Sequence, residues 1–188
     1  MRYAILAFAL AMSACASVAA VPPEDSVYRL SLDLTDQAGK PAGLDRYRGQ
    51  PVLISMFYAS CPHVCPMLIS TIQRMERELP EAQRGKLRVL MVSLDPARDT
   101  PEKLKDLAQR HHAELARWTF ARTNAPSVRK LAAVLNIQYR QLPDGEFNHS
   151  TVISLLDSEG RIAAQTSQML RLDPEFQTRL QRIVSESR

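Results

Sequence analysis

Residues 51–66 read Pro51-Val-Leu-Ile-Ser-Met-Phe-Tyr-Ala-Ser-Cys61-Pro-His-Val-Cys65-Pro66. The first nine are nearly all apolar, rich in β-branched and aromatic side chains, and introduced by Gly49, which predicts a buried strand bounded by a turn. From Cys65 onward Leu68, Ile72, Met75 and Leu79 recur at helical spacing. Both sulfurs should therefore lie where a central strand ends and a helix begins. A helix N-terminus carries partial positive charge and unsatisfied N–H groups, which favour a thiolate. Positions i and i+4 face the same way, so Cys61 and Cys65 can converge on one ion or on each other. Two soft thiolates suit Cu(I), Zn or a disulfide couple, and a disulfide stapling the turn is the plain structural alternative. The cysteines by themselves do not choose among these.

Residues 1–20 read as a targeting segment. Arg2 supplies the positive start, Tyr3 to Met12 an apolar run, and Val18-Ala19-Ala20 a small-residue cleavage site. The run is too short to span a bilayer comfortably. In a second reading Cys15, after Ser13 and Ala14, is the lipidated cysteine of a lipoprotein and gives the only membrane attachment, although Met12 matches such signals poorly. Both readings place the protein in the periplasm. Cleavage after Ala20 leaves 168 of 188 residues and lowers the formal charge from +4 to +3.

Removing Cys15 leaves one cysteine pair in a compartment where disulfides persist, which is not a disulfide scaffold. A 45% apolar composition and this length suit one domain with a real core. The pI near 9.1 is mildly basic, but the charges are interspersed, with no basic block or aromatic stripe, so nucleic acid is not an expected partner.

Residues 21–27 read as a spacer and 28–188 as the folded domain. Tyr28 to Leu34 alternates apolar and polar residues and leads into Asp36-Gln37-Ala38-Gly39, predicting a strand and hairpin turn. Leu87 to Leu94 predicts a second strand buried on both faces. Thr100 and Pro101 cap a helix whose inner face is Leu104, Leu107 and Ala108. Arg117 to Ala121 predicts a strand carrying Trp118. A helix opening at Asn124 to Pro126 buries Val128, Leu131, Ala132 and Leu135 and ends at Asn136. Tyr139 to Phe147 reads as a turn region. A hairpin follows, from Thr151 to Leu156 and Arg161 to Gln165 about Asp157-Ser158-Glu159-Gly160. A last helix from Asp173 buries Phe176, Leu180 and Ile183. This order predicts an α/β domain, a thioredoxin-like central mixed sheet flanked by helices with an N-terminal hairpin.

Four histidines follow the targeting segment. His111 and His112 close a helix, where a surface role or a favourable dipole interaction suffices. His63, two residues from each cysteine, should point away from the face they share. His149 stands on a loop before an apolar strand, and such strand-end loops gather beside the helix N-terminus that holds the cysteines. Met56, Met75 and Met91 fall at core positions. Met67 alone lies near enough to the cysteines to contribute.

Phe57-Tyr58-Ala59-Ser60-Cys61-Pro62-His63-Val64-Cys65-Pro66 resembles the signature of the SCO (SenC) family, thioredoxin-fold copper proteins that help assemble the CuA centre of cytochrome c oxidase. Ser93-Leu94-Asp95-Pro96-Ala97-Arg98-Asp99-Thr100-Pro101 resembles the family's acidic Asp-Pro loop, and Asn148-His149-Ser150-Thr151 its histidine motif. The three occur in the family's order over residues 28–185. The resemblance implies copper, as Cu(I) or Cu(II), bound by Cys61, Cys65 and His149, with Asp95 as a nearby modulating carboxylate. It implies a metallochaperone, monomeric by default, serving cytochrome c oxidase subunit II or another periplasmic copper protein. An orienting partner for His149, from Asp95 or a backbone carbonyl, would fix its tautomer. Two departures stand out: Asn148 replaces the family's usual Asp, and the common anchoring transmembrane helix is missing.

The competing expectation is a thiol-disulfide oxidoreductase in which Cys61 and Cys65 are the redox-active pair, reducing CuA-site or other periplasmic cysteines with help from a thiol reductant. Thioredoxins usually place two residues between their cysteines, not three, and a cis-proline where His149-Ser150-Thr151 stands here.

Overall fold

A computed structural model describes residues 21–61 and 64–187. The main elements are β1 (Thr35–Asp36), β2 (Val52–Phe57), α1 (Val64–Arg77), α2 (Glu81–Arg84), β3 (Arg88–Ser93), α3 (Pro101–Arg110), β4 (Trp118–Arg122), α4 (Ala125–Val134), β5 (Tyr139–Gln141), β6 (Phe147–His149), β7 (Ile153–Leu156), β8 (Ile162–Thr166) and α5 (Pro174–Glu186). Six strands form one sheet in the order β1-β4-β3-β2-β7-β8, while β5 and β6 pair separately. β2, β3 and β4 run parallel, and β7 lies antiparallel to β2. The expected α/β architecture, a mixed sheet covered on both faces, is the one observed.

β2 sits near the middle because both of its faces are apolar. Leu53 and Phe57 join one core with Leu68, Ile72 and Met75 of α1, whereas Val52, Ile54 and Met56 join the other with Leu131 and Leu135. β3 divides the same way, Val89 and Met91 against Leu90 and Val92. A strand buried on both faces loses visible alternation, which is why each reads as a continuous apolar run. Leu68, Ile69, Ile72 and Met75 of α1 are wholly buried. Each contributes about 1.5–3 kcal/mol relative to exposure. Truncating Ile72 to Ala would cost about 2–5 kcal/mol.

The helix caps follow the sequence. Thr100 Oγ1 accepts from the Lys103 amide at 3.4 Å and Asn124 Oδ1 from Ser127 at 2.9 Å. Asn136 takes a φ of +57° just past α4. On α5, Phe176 and Leu180 are buried as expected, but Ile183 is half-buried and Val184 fills the inner position.

The expected strand over Tyr28 to Leu34 does not form. Val27–Arg29 is a 3-10 turn capped by Ser26, and the chain then runs on irregularly. Val27 donates to the Gly160 carbonyl at 2.9 Å, and Ser26 Oγ to that of Glu159 at 2.6 Å, so the β7–β8 turn takes the backbone bonds a strand partner would have used. Val27, Tyr28, Leu32 and Leu34 are buried all the same. The N-terminal hairpin narrows to a turn, held by Asp36 Oδ1 accepting from Ala38 and Lys40 and closed by one bridge between Thr35 and Pro41. No described helix is long and apolar enough to cross a membrane.

Candidate functional site

The site lies at the carboxyl end of β2 and β3. Past Phe57, the Ala59 amide donates to Asp99 Oδ2 at 3.0 Å and the Cys61 amide to the Tyr58 carbonyl at 3.2 Å. This tight turn delivers Cys61 to the start of α1, where the Cys65 amide donates to Cys61 Sγ at 3.4 Å. Cys61 and Cys65 are not joined in a disulfide. Cys65 is buried and Cys61 is partly exposed. The Cys65 thiol is pushed well above the ordinary thiol range, first by its hydrogen bond to Cys61 and then by burial, with the Asp99 carboxylate adding to both. The pair is therefore asymmetric. Cys65 keeps its proton, while Cys61 receives an N–H and is the sulfur that reaches solvent.

Asp95 and Asp99, the two acids of the Asp-Pro loop, face different partners. Asp95 is buried, with its carboxylate engaged by the Arg98 guanidinium and its amide bonded to Ser93 Oγ at 2.9 Å. The carboxylate against the cysteine turn is instead Asp99, which also accepts from Ser93 Oγ at 2.6 Å. Burial raises its pKa, opposed by those two donors. The sequence signal for it was the second acid of the Asp-Pro loop, directly ahead of the Thr100 cap.

His149 was expected on a loop. It is the last residue of β6, directly opposite Tyr139 of β5 in a two-stranded hairpin that the sequence reading took for a turn region. These strands are only three residues long, with too few side chains to display a period of two. β6 runs through residues 150–152 into β7, which pairs antiparallel with β2, and Ser55 Oγ donates to the Val152 carbonyl at 2.6 Å. The rings of Tyr58 and His149 meet edge-on, with centroids 5.8 Å apart, and Phe147 tilts against Tyr58 at 5.4 Å.

His149 Nδ1 lies 3.0 Å from the Ser150 carbonyl. A carbonyl only accepts, so Nδ1 carries the proton in this contact, and in the neutral ring Nε2 is the nitrogen with the lone pair. The orienting partner is thus a backbone carbonyl, not Asp95. Tyr58 is the residue that sequence reasoning missed. It is buried, it lies three positions before Cys61, and burial followed by a hydrogen bond to Cys61 pushes its hydroxyl above the ordinary tyrosine range.

Cys61, Cys65 and His149 share one edge of the sheet. Among the described residues, however, no group of three His, Cys, Asp or Glu side chains is drawn together as closely as a bound metal requires. Asn148 pairs with Arg140 across the hairpin and is exposed. Met56, Met75 and Met91 are core residues, and Met67 is 39% exposed in the first turn of α1. His111 caps the end of α3, its carbonyl accepting from Gln73 at 2.8 Å, and burial lowers its ring pKa. Cys15 and His63 lie outside the described residues.

A thioredoxin-like sheet with a dithiol at the head of its first long helix, and a histidine hairpin at the same edge, defines a narrow class of protein. The SCO1/SenC family model matches residues 22–184, and the chain belongs to that family. It is 26% identical over 162 residues to a Stutzerimonas stutzeri protein provisionally named as copper-binding, covering 84% of this chain and 77% of that one. It is 30% identical to the mitochondrial protein SCO2 of Saccharomyces cerevisiae, across 69% of this chain but only 44% of the yeast protein. Among solved structures, Bradyrhizobium japonicum ScoI with copper bound superposes with a TM-score of 0.68 at 26% identity, covering 81% of this chain and 96% of that one.

Proposed function

We propose that this chain is an exported copper-binding protein that carries the ion on Cys61, Cys65 and His149 and passes it to the CuA site of cytochrome c oxidase subunit II, or to another periplasmic copper protein. Family membership and the copper-bound relative support the metal. The observation that carries the residue assignment is the position of Tyr58, packed edge-on against the His149 ring and three residues before Cys61. It supports a site in which the imidazole and the dithiol act together.

The donor set fits such a cargo. Two sulfurs are soft enough for Cu(I), and one imidazole makes the set acceptable to Cu(II). The Nδ1 bond to the Ser150 carbonyl leaves Nε2 as the ring's donor atom. Cys61 is partly exposed while Cys65 is buried, so a recipient protein reaches the site from the Cys61 side. We assign residues 1–20 to the export signal, with lipidation at Cys15 as its alternative form.

Titrating copper into the reduced domain beside His149→Ala, then measuring metal after gel filtration, tests this reading. One retained copper per chain with a thiolate-to-Cu(II) charge-transfer band, weakened in the variant, is expected. No retained copper in either protein contradicts it.

The asymmetry of the pair favours a second activity on the same residues. Cys61 is the sulfur of the pair that a partner disulfide can reach, so it takes the attacking role, with the buried Cys65, whose thiol is pushed toward its protonated form by its hydrogen bond to Cys61 and by burial, as the resolving sulfur. Attack on a partner disulfide would form a mixed disulfide and release one partner thiolate. Cys65, losing its proton, would then displace the second and leave Cys61 and Cys65 oxidised.

A further inference from the structure

The β5–β6 hairpin that carries His149 is not part of the six-stranded sheet. Besides the packing of Tyr139 against the core and the direct run of β6 into β7, two side-chain ties hold it to the cysteine turn and the loop after β3. One is the Tyr58 ring against Phe147 and His149. The other is Arg98. Its Nε engages the Asp95 carboxylate, its Nη2 donates to the Gly145 carbonyl at the hairpin turn, and its Nη1 stands 4.0 Å from Glu146 Oε1.

The anchor at the far end of this tie is rigid. Asp95 is 3% exposed and its amide is bonded to Ser93 Oγ, which donates to Asp99, which in turn holds the Ala59 amide of the cysteine turn. The hairpin turn is shaped to receive the guanidinium. Gly145 has a φ of +85°, and a Cβ there would stand 3.1 Å from Arg98 Nη1. Bare backbone at this position thus serves both the turn and the approach of the arginine.

We infer that Arg98 is a positioning residue, a latch that ties the His149 hairpin to the same hydrogen-bonded network that holds the cysteine turn, and so sets the distance at which the histidine stands from the two sulfurs. The inference rests on the reading of His149 as third ligand. Arg98 touches neither the ligands nor the ion; it acts through the hairpin. A planar fork with separate donors on Nε and Nη2 is needed to span an acid and a carbonyl at once, and a lysine offers a single ammonium in its place.

The test uses the reduced, copper-free mature chain with Arg98→Lys and Arg98→Gln, read by amide hydrogen exchange. Each variant is expected to exchange about tenfold faster over residues 139–149, the effect of losing one charge-assisted hydrogen bond. Amides of β2 and β3 should keep wild-type rates, and Arg98→Lys should fail to rescue despite its charge. Unchanged exchange in the hairpin, rescue by lysine, or an equal rise throughout the central sheet would overturn the latch. Copper transfer to a chelator is then compared in Arg98→Lys, His149→Ala and the double variant. Faster release in Arg98→Lys that disappears in the His149→Ala background supports action through the histidine. Faster hairpin exchange beside a His149→Ala protein that binds copper like wild type supports the latch and overturns the ligand reading alone.

Discussion

The ring of Tyr58 meets that of His149 edge-on at 5.8 Å, three residues before Cys61 in the chain. One buried aromatic thus spans the two segments that bear the candidate ligands, which are separated by 84 positions between Cys65 and His149. The hairpin that bears His149 lies outside the six-stranded sheet, so this ring contact is one of the ties between it and the cysteine turn.

Tyr58→Phe should be mild. The hydroxyl reaches the Phe147 carbonyl only at 3.5 Å, while the ring carries the packing. Denaturant unfolding is expected to show a loss of under about 1 kcal/mol for Phe and about 3–5 kcal/mol for Ala. Equal losses would mean that the hydroxyl, not the ring, holds the site together.

Asp99→Asn should destabilise the cysteine turn. The carboxylate accepts from Ser93 Oγ and from the Ala59 amide, and it is 2% exposed. Both donors meet the same oxygen, Oδ2, so an amide oxygen keeps both bonds but gives up the charge that strengthens them and puts an NH2 at the buried Oδ1 position, a cost of about 1–3 kcal/mol. Thermal unfolding and faster exchange at Ala59 would register the change. A wild-type melting curve would contradict it.

Away from the site, Glu76 ties α1 to β4, accepting from Trp118 Nε1 at 2.9 Å and pairing with the buried Arg117. Burial raises the Glu76 pKa against the pull of Arg117. Glu76→Gln removes one partner of a buried charge and should cost about 3 kcal/mol, since Glu114 still faces Arg117. The expected readout is a lower urea midpoint at an unchanged slope.

Asp173 caps α5, accepting from the Glu175 and Phe176 amides and from Thr166 Oγ1. These donors, Thr166 first, hold its carboxyl below the usual value of 3.8. Its folded pKa is the lower one, so its contribution is fully present above about pH 4 and is lost as pH falls through the folded value. Asp173→Asn keeps a capping oxygen. The stability gap between wild type and this variant should therefore shrink as pH drops from 5 to 2. A gap independent of pH would contradict the assignment.

What the sequence disclosed follows from how each segment is stabilised. β2, β3 and α1 were legible because their own side chains demand burial in a recognisable pattern, and the caps at Thr100, Asn124 and Asp173 because a local side chain closes them. Tyr28 to Leu34 announced its burial but not its conformation, since the chain leading into it is held by Glu159 and Gly160, far along the sequence, through Ser26 and Val27. The β5–β6 hairpin was hidden for a related reason: its place depends on Arg98 and Tyr58, which lie on other elements. At the site, motif resemblance singled out Cys61, Cys65 and His149. Choosing Asp99 over Asp95 needed the three-dimensional partner of Ala59.

X-ray absorption at the copper edge of the reduced, copper-loaded chain, measured beside His149→Ala, tests the central claim most directly. Two sulfur scatterers and one imidazole nitrogen in the wild type, with the imidazole signal lost in the variant, is the predicted result. Spectra that are identical in the two proteins, or that contain a single sulfur, would contradict a site built from Cys61, Cys65 and His149.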